Sequence, residues 1–521
     1  MRYRINEIKT NIDTNVDELP AIIAEKTRIS PRDITSWEVR KRSIDSRKKP
    51  EIYYVYTVDF TVNRKLRAGK IRGLSEVDEA KERITPPSPG SVRLMHRPVV
   101  IGLGPCGIFA GLELAKLGYR PLILERGPEM ARRVEAVEAF RRDHLLDPEA
   151  NMLFGEGGAG TFSDGKIGTG IKDSLIRQVL TEFRDAGAGE DIMYLAKPHI
   201  GTDVLRTVIV NIRNKIIELG GEVRFGMRLD SLVLRDGRLS GIDICASDNG
   251  QIERIDTDAL ILAVCHSARD TFSMIHGAGL EMQQKPFSIG VRMEHPQSVI
   301  DASQYGEENA GKLPPADYRL AYKASNGRGV YSFCMCPGGE VVVCTTREGE
   351  LCVNGMSNRK RDSGTANSGI LCDVRTEDFG SDDVLAGVRF QEKYERLAFI
   401  NGGGNYEPPR CNMGDFVSGA GEKAERVINS LPAFAAEAIR EAVPDFGRKI
   451  KGYDAPDAVV TAVETRSSSP VRIVRNASGE SNISGIYPAG EGAGYAGGIT
   501  SAACDGIRAA WHIVEKYAPA E

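Results

Sequence analysis

Two thiols one residue apart, Cys334 and Cys336, and a polar triplet, Arg292, Glu294 and His295, are side chains whose types and spacing could do chemistry. Thiols at i and i+2 share one side of a strand, so the pair could pass electrons. A metal is disfavoured, because no His or acid completes a familiar zinc spacing. Arg292 could anchor an anionic group while Glu294 or His295 exchanges a proton. Alternation puts Arg292 and Glu294 on one face and His295 on the other, unless Pro296 already turns the chain. A plain salt bridge between Arg292 and Glu294 is the competing account. A second polar run, Glu464-Thr465-Arg466-Ser467-Ser468-Ser469-Pro470, adds Arg466, and Tyr495 adds a phenol able to exchange a proton.

The elements around these residues are more specific. Val99-Val100-Ile101 reads as a strand, Gly102-Leu103-Gly104-Pro105-Cys106-Gly107 as a tight loop opening a helix, and Pro121-Leu122-Ile123-Leu124 as a second strand ending at Glu125 and Arg126. This is a βαβ dinucleotide fingerprint. Gly102 permits the turn, Gly104 the approach of a pyrophosphate and Gly107 close helix packing, while Glu125 accepts from ribose hydroxyls. Near the other end, Ser484 to Gly490 and Glu491 form a short strand closing on a glycine and an acid, followed by Gly498, Ile499 and Thr500 at a helix start. A nicotinamide dehydrogenase has no need of that second element. An extended FAD does: the acid can meet its ribityl hydroxyls, and the helix N-terminus can stabilise negative charge on the reduced ring. The glycine-crowded stretch Gly155 to Gly170, with Gly158, Ala159, Gly160, Thr161, Ser163, Asp164 and Lys166, is assigned to the same site, since glycines let backbone press against a phosphate or ring.

These two motifs resemble the glutathione-reductase-type FAD superfamily, in which the C-terminal acid is more often Asp than the Glu491 found here. A closer resemblance is to a family of bacterial FAD-dependent dehydrogenases, carried by Phe154 to Lys166, Ser332-Phe333-Cys334-Met335-Cys336-Pro337-Gly338-Gly339 and Glu491 to Ser501. It extends over nearly the whole chain and implies fold and cofactor, with no settled substrate. Ala263-Val264-Cys265 resembles the Ala-Thr-Gly turn that such flavoproteins place beside the cofactor, with Cys265 for glycine, so a positive φ there would be strained. Disulfide-reductase relatives carry C-x-x-C or C-x4-C after the first βαβ unit, and neither occurs. Cys334 and Cys336 are therefore expected to be buried structural cysteines.

Length sets the frame: 521 residues suggest about three domains. The implied fold class is α/β: a discontinuous Rossmann-like FAD-binding domain (95–285 plus 455–521), a parallel sheet with a β-meander, interrupted by a mainly-β or α+β substrate domain (286–454). Residues 1–90 supply a small α+β domain, ferredoxin-like or ubiquitin-like, and a charged, Pro-rich linker. A net charge of -4 argues against general affinity for nucleic acid or membrane. The basic run Arg40 to Arg72 is read as a solvated face, with docking of an acidic partner or RNA as the alternative. No apolar stretch reaches the roughly 18 residues of a membrane span, and ten scattered cysteines fit a reducing, cytoplasmic setting. Gly402-Gly403-Gly404 lacks a following helix, leaving one complete fingerprint and no dedicated NAD(P)H domain. Electrons would come from a small-molecule substrate, a transiently bound NAD(P)H or a carrier protein. The expected activity is hydride exchange between substrate and flavin N5; the alternatives are a thiol oxidoreductase and a flavin-bearing binding module.

Overall fold

The computed structural model describes residues 1–78, 80 and 84–520. At the centre lies a five-stranded parallel sheet in the order Ile486–Pro488, Leu260–Leu262, Val99–Ile101, Leu122–Glu125, Glu222–Phe225. Apart from the half-buried edge strand Glu222–Phe225 and the terminal Glu125, its strands read as apolar runs because both faces are covered. Helices Pro105–Lys116, Thr202–Glu218 and Ile499–Lys516 bury one face, and the antiparallel meander Met227–Arg235, Arg238–Ala246, Ile252–Asp256 packs on the other. Gly506 lets the first and last of these helices touch backbone to backbone, for a Cβ there would collide with the Cys106 carbonyl.

The inserted unit holds a six-stranded antiparallel sheet: Ala321–Lys323, Gly329–Cys336, Thr365–Val374, Phe287–Pro296, Val459–Glu464, Arg410–Asn412. Helices Gln297–Tyr305, Ala386–Asn401 and Ala433–Lys449 build its core. Val459–Glu464 pairs with Phe287–Pro296, so the return to the first sheet comes after Thr465 and not at Ala455. The two crossing points are tied together: Ser288 N donates to Ser467 Oγ (3.2 Å), Ser467 Oγ to the Ser288 carbonyl (2.7 Å) and Lys285 N to the Pro470 carbonyl (2.9 Å).

The N-terminal unit is an all-antiparallel sheet, Ile34–Lys48, Glu51–Val62, Arg2–Asn11, Leu74–Glu76, with the α-helix Leu19–Thr27 packed against it. It therefore runs into the stretch read as linker. Part of that charged connector, residues 79 and 81–83, lies outside the described residues; Ile84 to Gly90 has no regular structure, and Gly90 N donates to the Val514 carbonyl (2.8 Å). The long hairpin 34–62 reaches across the other two units. Arg42 exchanges backbone bonds with Tyr194 (2.7 Å) and Ala196 (2.9 Å), Arg177 pairs with Glu38 (2.8 Å), and Asn309 donates to the Pro50 carbonyl (3.0 Å). Ile52, at the hairpin's tip, joins the core of the inserted unit. The basic run is thus partly an internal interface. Among the described residues no helix is long and apolar enough to cross a membrane.

Candidate functional site

A single cavity of about 740 Å³ runs from the C-terminal ends of the parallel strands to the inserted sheet, within the roughly 300–1,000 Å³ of small-molecule sites and at the position where open α/β sheets bind ligands. At one end Glu125 and Arg126 close the second strand. Glu125 accepts from Leu103 N (2.8 Å) and Gly127 N (2.9 Å), so it ties down the loop it also borders. Arg126 is held by Glu149 and Asp270 and lies 4.8 Å over the Phe154 ring. In the middle two helix N-termini open on the same space, capped by Gly104 and Gly498, neither with a side-chain cap. Their unpaired N-H groups and dipoles favour anionic groups there.

The glycine segment forms the facing wall, with Gly158, Ala159, Gly160, Ser163, Asp164 and Lys166 on the cavity. Arg133 shapes it from behind. That fully buried guanidinium donates to the carbonyls of Asn151 (3.0 Å), Met152 (3.3 Å), Glu156 (2.6 Å) and Gly158 (3.1 Å) and to Thr161 Oγ1 (3.1 Å). Thr161 consequently faces this scaffold, its hydroxyl given to the Gly158 carbonyl (2.6 Å). Gly155 sits at φ 119°, where a Cβ would meet Arg133 Nε at 2.6 Å.

Gly107, Gly490 and Thr500 also lie behind the lining. Gly107 packs against the Gly102 carbonyl, Gly490 donates to Asp505 (2.7 Å), and Thr500 donates to the Ile167 carbonyl (2.6 Å). Gly102, Pro105, Cys106, Cys265, Glu491 and Ile499 line it. No positive φ is required of Cys265; the left-handed turn falls on Gly102 at 94°, and Cys265 Sγ donates to the Leu153 carbonyl (3.2 Å).

The inserted sheet supplies the far wall, and here four of the five proposed catalytic residues are corrected. Arg292 is fully buried: Nη2 donates to Glu464 Oε1 (3.0 Å) and Asn354 (2.9 Å), Nη1 to Asn367 (3.0 Å) and the Cys334 carbonyl (2.8 Å). It is a salt-bridged arginine, though its partner is Glu464 and not Glu294. Glu294 lies off the cavity beside Thr461, its carboxyl raised by burial. His295 donates to the Tyr453 carbonyl (2.6 Å) with its ring 4.5 Å from that tyrosine's, and burial lowers its pKa. Tyr495 donates to the Ile473 carbonyl (3.0 Å) under the Arg475 guanidinium. Arg466 alone reaches the lining, oriented by Glu395 at 2.6 and 2.7 Å. Against the cost of burial, Arg269 and Arg466 hold Glu395 well below the usual carboxylate range.

Three further groups bear on the site: Glu464, named in the polar run without a role, His266, which the sequence reading passed over, and Cys334, expected there to be a buried structural thiol. Glu464 lines the cavity, its carboxyl pushed up to about 7 by burial against the pull of Arg292. His266, two residues past a noted strand end, also lines it, kept neutral by burial with its pKa lowered to about 3; its buried Nδ1 has no hydrogen-bond partner among the described residues. Cys334 opens onto the cavity and is not a core thiol.

Residues 286–467 match the family model described as FAD-dependent protein, C-terminal domain-like, and residues 2–61 match a Domain of unknown function (DUF8436). An uncharacterized protein of Clostridium beijerinckii is 45% identical over 535 residues, covering 99% of both chains. The chain belongs to this family. It is an FAD-dependent protein. Among solved structures, a triple mutant of the flavin-dependent brominase Bmp2 is 15% identical with TM-score 0.38 (80% of this chain, 79% of that one). The 3-ketosteroid-delta4-(5alpha)-dehydrogenase of Rhodococcus jostii RHA1 is 12% identical with TM-score 0.35 (83% and 100%). Scores this low tie the FAD-dependent protein to neither reaction. Its own residues fit FAD: Glu125 on the adenosine side, two helix N-termini for the pyrophosphate and the ring, and Glu491, whose carboxylate accepts no hydrogen bond from the described residues and has His266 Nε2 4.0 Å away.

Proposed function

We propose that the protein is an oxidoreductase, a dehydrogenase or reductase, whose small-molecule substrate lies in the cavity against the inserted sheet, beside Ser332, Phe333, Asn354 and Glu464. One observation carries this reading: the nucleotide loops and the inserted sheet wall a single cavity. Bound FAD supplies hydride transfer at N5. The chain supplies position and proton. Glu464, poised at about 7 and fixed by Arg292, holds or takes a proton beside the substrate. Arg466, immobilised by Glu395, offers a cation to an anionic substrate group. The absence of a second complete fingerprint in the sequence makes a transient NAD(P)H or a carrier protein the other electron partner.

The test is anaerobic mixing of the FAD-loaded protein with NADH, NADPH and a metabolite panel, followed by flavin absorbance. A reductant should bleach the wild type, and Ser332→Trp should retain FAD while bleaching at least tenfold more slowly. Full-rate bleaching in Ser332→Trp would remove the substrate from this wall.

A further inference from the structure

Cys334 and Cys336 stand where the inserted sheet meets the glycine segment. Phe333 pairs with Gly369 and Cys336 with Asn367, so two residues on one strand face one on its partner. Cys334 absorbs the extra residue in a left-handed conformation, φ 39°, the bulge geometry that re-aims side chains at functional sites. One thiol therefore opens onto the cavity and the other is wholly buried behind it. Cys336 Sγ donates to the Cys334 carbonyl at 3.3 Å, so the buried thiol is tied to the backbone of the cavity-facing one. Lys166 Nζ, from the glycine segment, lies 3.8 Å from Cys336 Sγ, and Arg292 holds the Cys334 carbonyl from the other side. The neighbouring Cys336 thiol and then the charges of Lys166 and Arg292 draw the Cys334 thiol well below its ordinary range, against burial and Asp164, which pairs with Lys166 at 3.0 Å. A cavity-facing thiol beside the Lys166 and Arg292 cations, with a protected second thiol behind it, is the arrangement of an attacking and a resolving cysteine.

We propose that Cys334 and Cys336 are a redox-active dithiol serving the bound FAD, and that the substrate is a small thiol or disulfide meeting Cys334 in the cavity. This rests on the reading that substrate chemistry occurs against the inserted sheet. In the oxidising direction, the Cys334 thiolate and the Cys336 thiol form one S–S bond and give up two electrons and one proton, which oxidised FAD would take up when bound. A dithiol substrate restores the pair by exchange: one of its thiolates attacks Cys334 and Cys336 leaves. Its second sulfur then closes the substrate disulfide and Cys334 leaves, the protons returning to the protein thiols.

The experiment uses the full FAD-loaded chain, air-oxidised and then titrated anaerobically with dithionite. The wild type should consume two electrons per chain beyond those that bleach FAD, and both Cys334→Ser and Cys336→Ser should lose that excess. Tryptic mass spectrometry after alkylation identifies the pair, because Cys334 and Cys336 fall in one peptide, 329–347. A bond between Cys344 and Cys352, whose Sγ atoms lie 3.6 Å apart, would instead join two peptides. Before titration the 329–347 peptide should be two hydrogens lighter, with Cys334 and Cys336 refusing the label; afterwards both should carry it. Dithiothreitol should bleach FAD in the wild type and at least a hundredfold more slowly in Cys334→Ser. If Cys334 and Cys336 of the air-oxidised protein both alkylate and FAD alone accounts for the electrons, the dithiol is overturned while the oxidoreductase reading stands. Failure of NADH, NADPH, dithiothreitol and every metabolite of the panel to bleach FAD would instead remove the oxidoreductase reading itself.

Discussion

Glu491 is a carboxylate with no hydrogen-bond donor among the described residues at the edge of a buried cavity, and burial raises it from 4.5 to about 7. The folded apoprotein therefore keeps this proton between those values, where the unfolded chain has released it. Its favourable contribution to stability is complete below about pH 4.5 and is lost as pH rises toward 7. Melting temperatures of apo wild type and apo Glu491→Gln should accordingly converge at pH 4.5 to 5 and separate toward pH 7, the variant being the more stable there. A constant difference across the range would deny Glu491 that shift. Glu491, like Glu125, was legible in the sequence because each ends a strand beside glycines, a local signal. Arg292 and His295 misled the same reading. Strand alternation tells which residues share a face, but not whether helices and a hairpin then cover it, and Arg292 meets Glu464 only through a partner 172 residues away.

At the scale of elements, the glycine segment is a wall whose own secondary structure is one short 3-10 turn, Ala159–Phe162. Arg133, from helix Met130–Asp143, holds that wall by binding four carbonyls and a hydroxyl. Arg133→Leu takes a donor from each of those carbonyls and leaves those of Asn151 and Met152 with none among the described residues, at about 1–3 kcal/mol each where they cannot relax. A loss of at least ~3 kcal/mol is expected, read as a lower melting temperature, with FAD shed and proteolysis appearing between residues 151 and 166. Arg133→Lys should not rescue it, since an ammonium has no fork to span five acceptors. Wild-type FAD content in Arg133→Leu would contradict this role. The parallel strands and their helices were readable from apolar runs and 3.6-residue spacing. The glycine segment was assigned by composition only, and nothing in its pattern named Arg133. Val459–Glu464 was placed on the wrong side of a boundary because sheet pairing with Phe287–Pro296 leaves no mark in either strand.

Over the whole molecule, the N-terminal unit supports the cavity from outside. Its hairpin bonds to Tyr194 and Ala196, and Ala196, Lys197 and Pro198 line the cavity, with Lys197 paired to Asp317 across it (2.6 Å). Removing residues 1–62 should speed FAD release about tenfold, equivalent to ~1.4 kcal/mol, and expose the apolar seat of Ile52 to aggregation; unchanged release on dilution would make the unit a passenger. Charge counting alone had read this hairpin as a solvated face, since a docked cation and a free one look alike in sequence. The tied crossing points of the inserted unit bear on how such a chain could be rearranged. Because the Ser288 and Ser467 ends already touch, a segment cut there begins and ends at one spot and could be moved into another host loop without stretching either chain. The remainder, rejoined by a short turn, would keep its parallel sheet, so the two halves could be recombined as separate parts with different walls offered to the same cofactor.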